Sequence, residues 1–394
     1  MSNSNLGLNR KVIKVLVDSL SDSDSKIYKD IMSITGEPSG EVDENDTLIN
    51  YLTDGTEVTT LTSNAVKKVA DDVFNDYNKL VTVNFPNAKS LGNNAFKYCT
   101  SLTSIDLPNV ASIGGSAFGS CTSLTSIDLP NVASIGTCVF YECNNLTSID
   151  LPNVTSIGEF AFQCCSSLTS INIPNVTSIG KYVFDICTSL TSIDLPNVTS
   201  IGDYAFSRCT SLTSINIPNV TSIGDYAFKG CTSLTSIDLP NVTTIGNCAF
   251  YDCTSLTSID LPNVTSIGGY AFVGCTKLTS INLPNVTSIG DQVFNGCTSL
   301  TSIDLPNVTS IGYGVFYQCT KLTKIIIGTD SDICTLKSTG VFDNTPISNK
   351  TGYIYVPDSL VNSYKSTSGW STYASQIKPI SELPQEYKTL YNIT

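Results

Sequence analysis

Residues 190–211, LTSIDLPNVTSIGDYAFSRCTS, decide the fold, because nearly the same 22 residues recur end to end from about residue 80 to residue 321. A proline, a phenylalanine and a cysteine each return at this interval through eleven copies without a slip in register. The three series run from Pro86 to Pro306, from Phe96 to Phe316 and from Cys99 to Cys319. An unbroken period of this length is typical of solenoid proteins.

One copy predicts a strand, a bend and a short helical turn. Ile193 and Leu195 alternate with polar neighbours, so they point inward from a strand. Pro196 ends that strand because it has no N–H for the ladder, and Gly202 supplies a sharp bend. The apolar side of the helical turn that follows is formed by Ala205, Phe206 and Cys209.

A single copy cannot bury its apolar residues alone, since both of its faces need a neighbour. The L-x-x-L-x-L spacing of Leu190, Ile193 and Leu195 and the 22-residue period fall in the range of leucine-rich repeats. The sequence therefore predicts an α/β solenoid. It is a leucine-rich repeat right-handed superhelix with a parallel β-sheet on one face and about 11–12 coils.

The run from Ser200 to Ile215, SIGDYAFSRCTSLTSI, resembles the BspA-like (treponemal-type) leucine-rich repeat. Members of that family are mostly surface proteins of bacteria and anaerobic protists, and similar arrays occur in gut bacteriophages. The copies here depart in a shortened Leu-Pro-Asn-Val segment. The resemblance implies adhesion or partner binding, and it carries over no catalytic residues.

The segments before the array are not recognisable as repeats. Residues 1–60 are expected to form a short helix over residues 10–20 and an acidic linker over residues 37–57. The helix is apolar over too wide a face for a lone surface helix, so we expect it to pack, for example as a homo-oligomer through residues 1–30. Residues 61–79 predict a helical cap, with an amphipathic helix over residues 63–78.

After the array of residues 80–345, residues 346–394 are expected to cover the last coil. Pro357 opens a predicted helix that runs to about Ser366. The predicted packing residues of this C-terminal cap are Leu360, Tyr364 and Trp370.

The composition excludes several function classes. The chain has 34 acidic and 21 basic residues, a net charge of −13, and this argues against nucleic acid and anionic membranes as partners. It has no histidine, which removes Ser-His-Asp and Cys-His catalysis. No carboxylate pair or phosphate-binding glycine loop stands out from the repeat, so we expect no enzyme, no cofactor and no metal centre.

The fifteen cysteines do not read as a disulfide framework. Eleven of them, the cysteine ladder from Cys99 to Cys319, follow the phenylalanine by three residues and are expected to be buried thiols. Cys138 and Cys248 occupy another position five coils apart, too far to pair. Cys164 and Cys334 have no counterpart. A shared metal is excluded because ligands 22 residues apart along a rod do not converge.

The first twenty residues lack the apolar core of a signal peptide, and no stretch is long enough for a transmembrane helix. Two routes to the outside of a cell are then left for this protein: export by another pathway, or release as part of a virion when the host cell lyses. We expect the protein on the extracellular face of a cell or on a virion surface, without membrane insertion.

The outward position of the strand carries a row of acidic and amide side chains, which we call the aspartate row. An acidic face of this kind suits Ca²⁺ or a basic partner, and it equally suits a merely solvated surface that resists aggregation. The row comprises Asn84, Asp106, Asp128, Asp150, Asn172, Asp194, Asn216, Asp238, Asp260, Asn282 and Asp304.

A second row lies two residues before the phenylalanine, where the copies vary most. Aromatic rings in file with polar neighbours suit contact with a glycan or a protein. The alternative is that each ring simply packs on the adjacent coil. This aromatic row comprises Phe160, Tyr182, Tyr204, Tyr226 and Tyr270, interrupted by Cys248.

These observations favour a non-enzymatic binding or adhesion protein that recognises a glycan or a protein on a host surface. The alternative is a structural spacer or decoration protein, in which the array only sets a length.

Overall fold

The structure, a computed structural model, describes residues 40–42, 47–51, 58–64, 66–328 and 332–383. It divides into two compact units, Met1–Asp194 and Leu195–Thr394, each of which is a parallel-strand leucine-rich repeat solenoid. The described residues form about 14 turns of about 22 residues, more than the 11–12 expected. The predicted helix over residues 10–20 and the oligomer contact through residues 1–30 lie outside the described residues.

Each coil of the first unit contributes two short strands to two parallel ladders. Equivalent residues pair across the ladders, for example Ser126 with Ser148 and Ser148 with Ser170. The first strands are Thr60–Thr62, Thr82–Asn84, Ser104–Asp106, Ser126–Asp128, Ser148–Asp150, Ser170–Asn172 and Ser192–Asp194. The second strands are Lys68–Val69, Ser90–Leu91, Ser112–Ile113, Ser134–Ile135, Ser156–Ile157 and Ser178–Ile179.

The second unit repeats this plan. Its first strands are Ser214–Asn216, Ser258–Asp260, Ser280–Asn282, Ser302–Leu305, Lys324–Ile327, Tyr353–Val356 and Ile377–Pro379. Its second strands are Ser200–Ile201, Ser222–Ile223, Thr244–Ile245, Ser266–Ile267, Ser288–Ile289, Ser310–Ile311 and Thr335–Leu336. One further coil lies between the strands Ser214–Asn216 and Ser258–Asp260. It joins the ladder of first strands through a single bridge between Asp238 and Asp260.

The core of each unit is built from identical side chains piled coil on coil. The repeat phenylalanines are fully buried, and successive rings stack with centroids 5.0–5.7 Å apart, from Phe74 to Phe184 and from Phe206 to Phe342. The leucine, isoleucine and valine positions of the repeat lie around these rings. Stacking therefore supplies the burial that one copy lacks.

The segment around the phenylalanine differs from the predicted helical turn. Tyr204 and Arg208, two residues on either side of Phe206, have φ of 56° and 58°, in the left-handed region. The N–H of Tyr204 and of Phe206 donates to a carbonyl of the next coil, at 2.9 and 2.8 Å. A helix would direct these N–H groups into its own coil, whereas alternating left-handed residues turn them toward the neighbour and form a third ladder.

Residues 63–78 are likewise not the predicted helix. They belong to a further coil, with strands at Thr60–Thr62 and Lys68–Val69 and with Asp72 and Asp76 at positive φ. Phe74, 22 residues before Phe96, stacks on its ring at 5.0 Å. The apolar spacing of valines fits both a helix and a coil, and the next coil's hydrogen bonds decide in favour of the coil.

The acidic segment predicted as a linker contains strands where it is described. Gly40–Val42 pairs antiparallel with Thr47–Tyr51, and the latter pairs in parallel with Lys68–Val69. The second-strand ladder of the first unit therefore begins before the repeats recognisable in the sequence.

Two of the three predicted packing residues of the C-terminal segment, Tyr364 and Trp370, are buried. Short helices occupy Thr339–Phe342, Asp358–Leu360, Val361–Ser366, Trp370–Gln376 and Ile380–Glu382. Trp370 and Tyr364 are fully buried and hold the backbone of Cys334 from two sides. The indole Nε1 of Trp370 donates to the Cys334 carbonyl at 2.6 Å, and the Cys334 N–H donates to the Tyr364 hydroxyl at 2.9 Å. Leu360 is only half-buried.

Candidate binding surfaces

The aspartate row stands on the outward side of the first strands. In the first unit Asp106, Asp128 and Asp150 are exposed and lie directly opposite one another in neighbouring parallel strands. Neighbouring strands of a sheet are about 4.8 Å apart, so these carboxylates form a close-set acidic line. In the second unit Asp238 and Asp260 pair in the same way, and Asp304 is half-buried.

Two asparagines of the row, one in each unit, bind the aspartate of the preceding coil. Asn172 donates its Nδ2 to Asp150 Oδ1, and Asn282 donates to Asp260 Oδ1, both at 2.8 Å. Each amide replaces a like-charge contact with a hydrogen bond. In the part of the chain that is described, no three acidic or cysteine side chains are placed to hold a metal ion together. The row presents hydrogen-bond acceptors side by side.

Threonines beside the aspartate row are tied to the scaffold. The Thr147 hydroxyl donates to the Thr125 carbonyl at 3.1 Å, and the same bond recurs from Thr279 to Thr257 at 3.0 Å. Such bonds repeat through the array at intervals of 22 residues. They hold the side chains of the face in one arrangement, so a ligand meets a rigid surface.

The aromatic row lies in the left-handed turns after the second strand. Phe160 stacks on Tyr182 with ring centroids 4.9 Å apart, and Tyr204 stacks on Tyr226 at 4.5 Å. These four rings are half-buried by their neighbours, whereas Tyr270 is 41% exposed. Ring-on-ring packing along the row thus occupies much of the surface that a ligand would use.

Within the aromatic row Tyr226 shares a hydrogen bond with Cys248, the residue that interrupts the row. It raises the pKa of Tyr226 to about 12, so the phenol stays protonated at neutral pH. Burial raises the pKa of the Cys248 thiol. Neither Tyr226 nor Cys248 is therefore charged at neutral pH. The aromatic row lies in the left-handed turns, whereas the aspartate row lies on the first strands.

The cysteine ladder is structural. Its residues are thiols with no exposed surface. Within each unit they donate S–H to the phenylalanine carbonyl of the preceding coil, as Cys165 does to Phe140 at 3.1 Å and Cys253 to Phe228 at 3.1 Å. Burial raises the pKa of the Cys231 and Cys275 thiols well above the ordinary thiol value. The same carbonyls also accept a backbone N–H, from Cys143 to Phe140 and from Cys231 to Phe228, both at 3.1 Å, so the thiol adds a second, weak hydrogen bond.

Sequence reasoning missed a cavity of about 300 Å³ in the second unit. It lies beside the first strands Ser302–Leu305, Lys324–Ile327 and Tyr353–Val356. The signal that could have revealed it is a change of residue type: the serine that opens the first strand in earlier coils becomes Lys324 and then Tyr353. The residues that line this cavity include Ser302, Thr323, Lys324, Thr351, Tyr353 and Tyr355.

Comparison with known families accounts for this architecture. The sequence model of the BspA type leucine rich repeat region, with six copies, matches residues 51–152, 111–235 and 221–349. The chain belongs to the BspA-type leucine-rich repeat family. The match begins before residue 80, in keeping with the additional coil that includes Phe74.

Two solved structures are similar to this BspA-type protein. A leucine rich cell surface protein from Faecalibacterium prausnitzii is 25% identical, with 86% of this chain and 96% of that chain covered and a TM-score of 0.50. A leucine-rich repeat protein from Bacteroides ovatus is 26% identical, with 88% and 99% covered and a TM-score of 0.54. A search of the curated proteins returned no match to this chain.

Within the described residues of this BspA-type protein, no helix combines the length and apolar character required to cross a bilayer.

Proposed function

We propose that this BspA-type protein is a non-enzymatic binding protein that acts on a cell surface or a virion and recognises a glycan or a protein there. The observation that carries the proposal is the outward face of the first strands, where exposed serines and aspartates repeat in register on a rigid sheet. Such a face suits a broad contact rather than a single reactive point. Similarity to a leucine rich cell surface protein supports the location.

The chemistry of the chain supports binding over catalysis. With no histidine, a base near neutral pH would have to come from a carboxylate or a thiol of altered pKa. The ladder thiols are driven toward the neutral form by burial, which weakens them as nucleophiles.

The charge of the face favours ligands that present basic groups or many hydroxyls. Carboxylates accept hydrogen bonds from either kind of group, and an acidic surface accelerates the approach of a basic partner. The contact is therefore expected to weaken as salt rises, since exposed charges are screened beyond about 8 Å at physiological ionic strength.

The proposal is tested by applying the whole chain to arrays of glycans and host surface proteins, followed by titration of each ligand found. The variant Asp106→Asn/Asp128→Asn/Asp150→Asn keeps the shape of the face and removes its charge. We expect an affinity at least about tenfold lower and a flatter salt dependence, because three charge-assisted hydrogen bonds are weakened.

The matched control is Asp76→Asn/Glu159→Gln/Asp252→Asn, which removes three exposed carboxylates away from the first strands. It should bind as the unaltered chain does. Absence of any ligand on the arrays, or equal losses in both variants, would contradict a recognition role for the aspartate row.

A spacer is the second candidate, favoured by the near identity of the outward face from coil to coil and by the hydrogen bonds that tie its side chains along the array. Deletion of residues 102–145 removes two whole periods and keeps the register. A spacer loses reach and keeps every affinity, whereas a protein that binds through its array loses affinity.

A further inference from the structure

The outward face of the first strands changes character at the C-terminal end of the second unit. Ser302, Lys324 and Tyr353 lie side by side in register, as do Asp304, Ile326 and Tyr355 in the next outward row. In earlier coils these two rows hold serine and aspartate or asparagine. In a chain of nearly identical copies, this is where the array gives way to a local arrangement of its own.

One side of this region is closed. Ile326 and Tyr355 are buried in a small apolar cluster with Leu383, and Ile380 packs against it. Tyr353 remains 37% exposed, and the ammonium of Lys378 lies 4.1 Å from the centroid of its ring. The result is a cavity of about 300 Å³ with one fixed aromatic wall, at the small end of the range for ligand pockets.

The polar lining of the cavity has a defined donor and acceptor pattern. The Thr323 hydroxyl donates to the Thr301 carbonyl at 3.3 Å, and the Thr351 hydroxyl donates to the Pro346 carbonyl at 3.2 Å. Both oxygens therefore present lone pairs to a ligand that carries hydroxyl donors. Burial raises the pKa of Tyr355, which keeps its phenol in the neutral, donating form.

Lys324 supplies the positive charge of the lining. It is 9% exposed, and it opens a strand in a protein whose net charge is −13. Lys324 already interacts with another residue of the fold, but a lysine ammonium has three donors, so it can also donate a strong hydrogen bond to a carboxylate. Lys378, beside Tyr353, adds a second cation that is shared with Glu382 at 3.6 Å.

We propose that this cavity binds an acidic sugar, with the sugar ring against Tyr353, its hydroxyls donating to Thr323 and Thr351, and its carboxylate on Lys324. This rests on the proposed function and names the ligand class of one site. The aromatic wall accounts for the ring, the threonine oxygens for the hydroxyls, and the lysine for the negative charge.

The test compares glucuronic acid with glucose, which share a ring and differ in the carboxylate, by titration of the full chain with NMR and calorimetry. We expect glucuronic acid to bind at least about tenfold more tightly, and Lys324→Ser, which restores the residue of the earlier coils, to abolish that preference. Tyr353→Ser should weaken both sugars. Tyr313→Ser, at a tyrosine that is 54% exposed elsewhere in the second unit, is the control and should change neither.

Lys324→Gln keeps most of the length of the side chain, removes its charge, and serves where Lys324→Ser unfolds, as judged by circular dichroism. Equal affinity for the two sugars, or a retained preference in a folded Lys324 variant, overturns the inference. The array experiment runs in parallel with the same Lys324 variant. If the unaltered chain does not discriminate between the two sugars but still binds ligands on the glycan and protein arrays, this site is removed and the proposed function stands, whereas absence of all ligands removes both.

Discussion

At the scale of the residue, most positions of the repeat are set by what lies one coil away. The asparagine after the proline illustrates this: Asn153 donates its amide to the Pro130 carbonyl at 2.7 Å, and Asn241 donates to Pro218 at 2.8 Å. The ladder cysteine serves the phenylalanine carbonyl in the same way. The role of these side chains is therefore a hydrogen bond to the neighbouring coil, and it cannot be recognised from a single copy of the repeat.

The repeat glycine illustrates close approach. A Cβ on Gly224 would lie 2.7 Å from the carbonyl carbon of Gly202 and from the nitrogen of Asp203, both backbone atoms that cannot move aside cheaply. The glycine is thus needed for contact between coils, and Gly224 is not among the residues at positive φ.

We expect Gly224→Ala to lower the free energy of unfolding by about 1–3 kcal/mol, the usual cost of overpacking. Gly269→Ala is the matched control, because its Cβ would meet nothing closer than 3.4 Å. It should be neutral or slightly stabilising. Urea denaturation of both variants checks the prediction, and equal effects would show that contact between coils is not the cause.

At the scale of the element, the unexpected feature is the turn with two left-handed residues. Glycine occupies the second of these positions in some coils, with φ of 71° at Gly230 and 72° at Gly274, whereas other coils hold larger residues there. Non-glycine residues are strained in this region by about 1–2 kcal/mol, and β-branched residues fit it worst. The turn forms nonetheless because its N–H groups bind the next coil.

Gln318 has φ of 60° and is exposed, so it reports this strain without disturbing the core. We expect Gln318→Gly to raise the free energy of unfolding by up to about 1 kcal/mol. Gln318→Val should lower it by a similar or larger amount, because a β-branched side chain clashes at this φ. Thermal and urea unfolding measure both variants, and shifts of the same sign would contradict the left-handed turn.

At the scale of the whole molecule, stability depends on covering the ends of the coils as well as stacking them. In the second unit the last repeat phenylalanine, Phe342, contacts Tyr373 edge-on at 5.0 Å and Trp370 at 6.1 Å. These aromatic residues replace the ring that a further coil would bring. They cover an apolar face that would otherwise be exposed.

Trp370→Ala should lower the free energy of unfolding by about 3–5 kcal/mol, the usual cost for a fully buried tryptophan, and promote self-association through the uncovered end. Size-exclusion chromatography with light scattering follows the second effect. Trp370→Phe, which keeps a ring, is the milder control. A monomeric, fully stable Trp370→Ala variant would show that the segment does not close the solenoid.

The sequence by itself determined the period, the inward and outward alternation of the strands and the buried phenylalanine and cysteine ladders. Each of these follows from residue type at a fixed spacing, and the structure confirms them at Phe206, Ile193 and Cys253. The C-terminal helix from Asp358 to Ser366 was predictable for the same local reason.

Only the tertiary structure decided the left-handed turns, the coil that contains Phe74, and the cavity beside Lys324 and Tyr353. The apolar spacing of residues 63–78 allowed a helix, and the turn after Gly202 looked helical within its own copy. Both outcomes depend on backbone hydrogen bonds donated to the adjacent coil, and such bonds leave no periodic mark on one copy. The cavity likewise arises from three neighbouring strands, so no single stretch of sequence contains it.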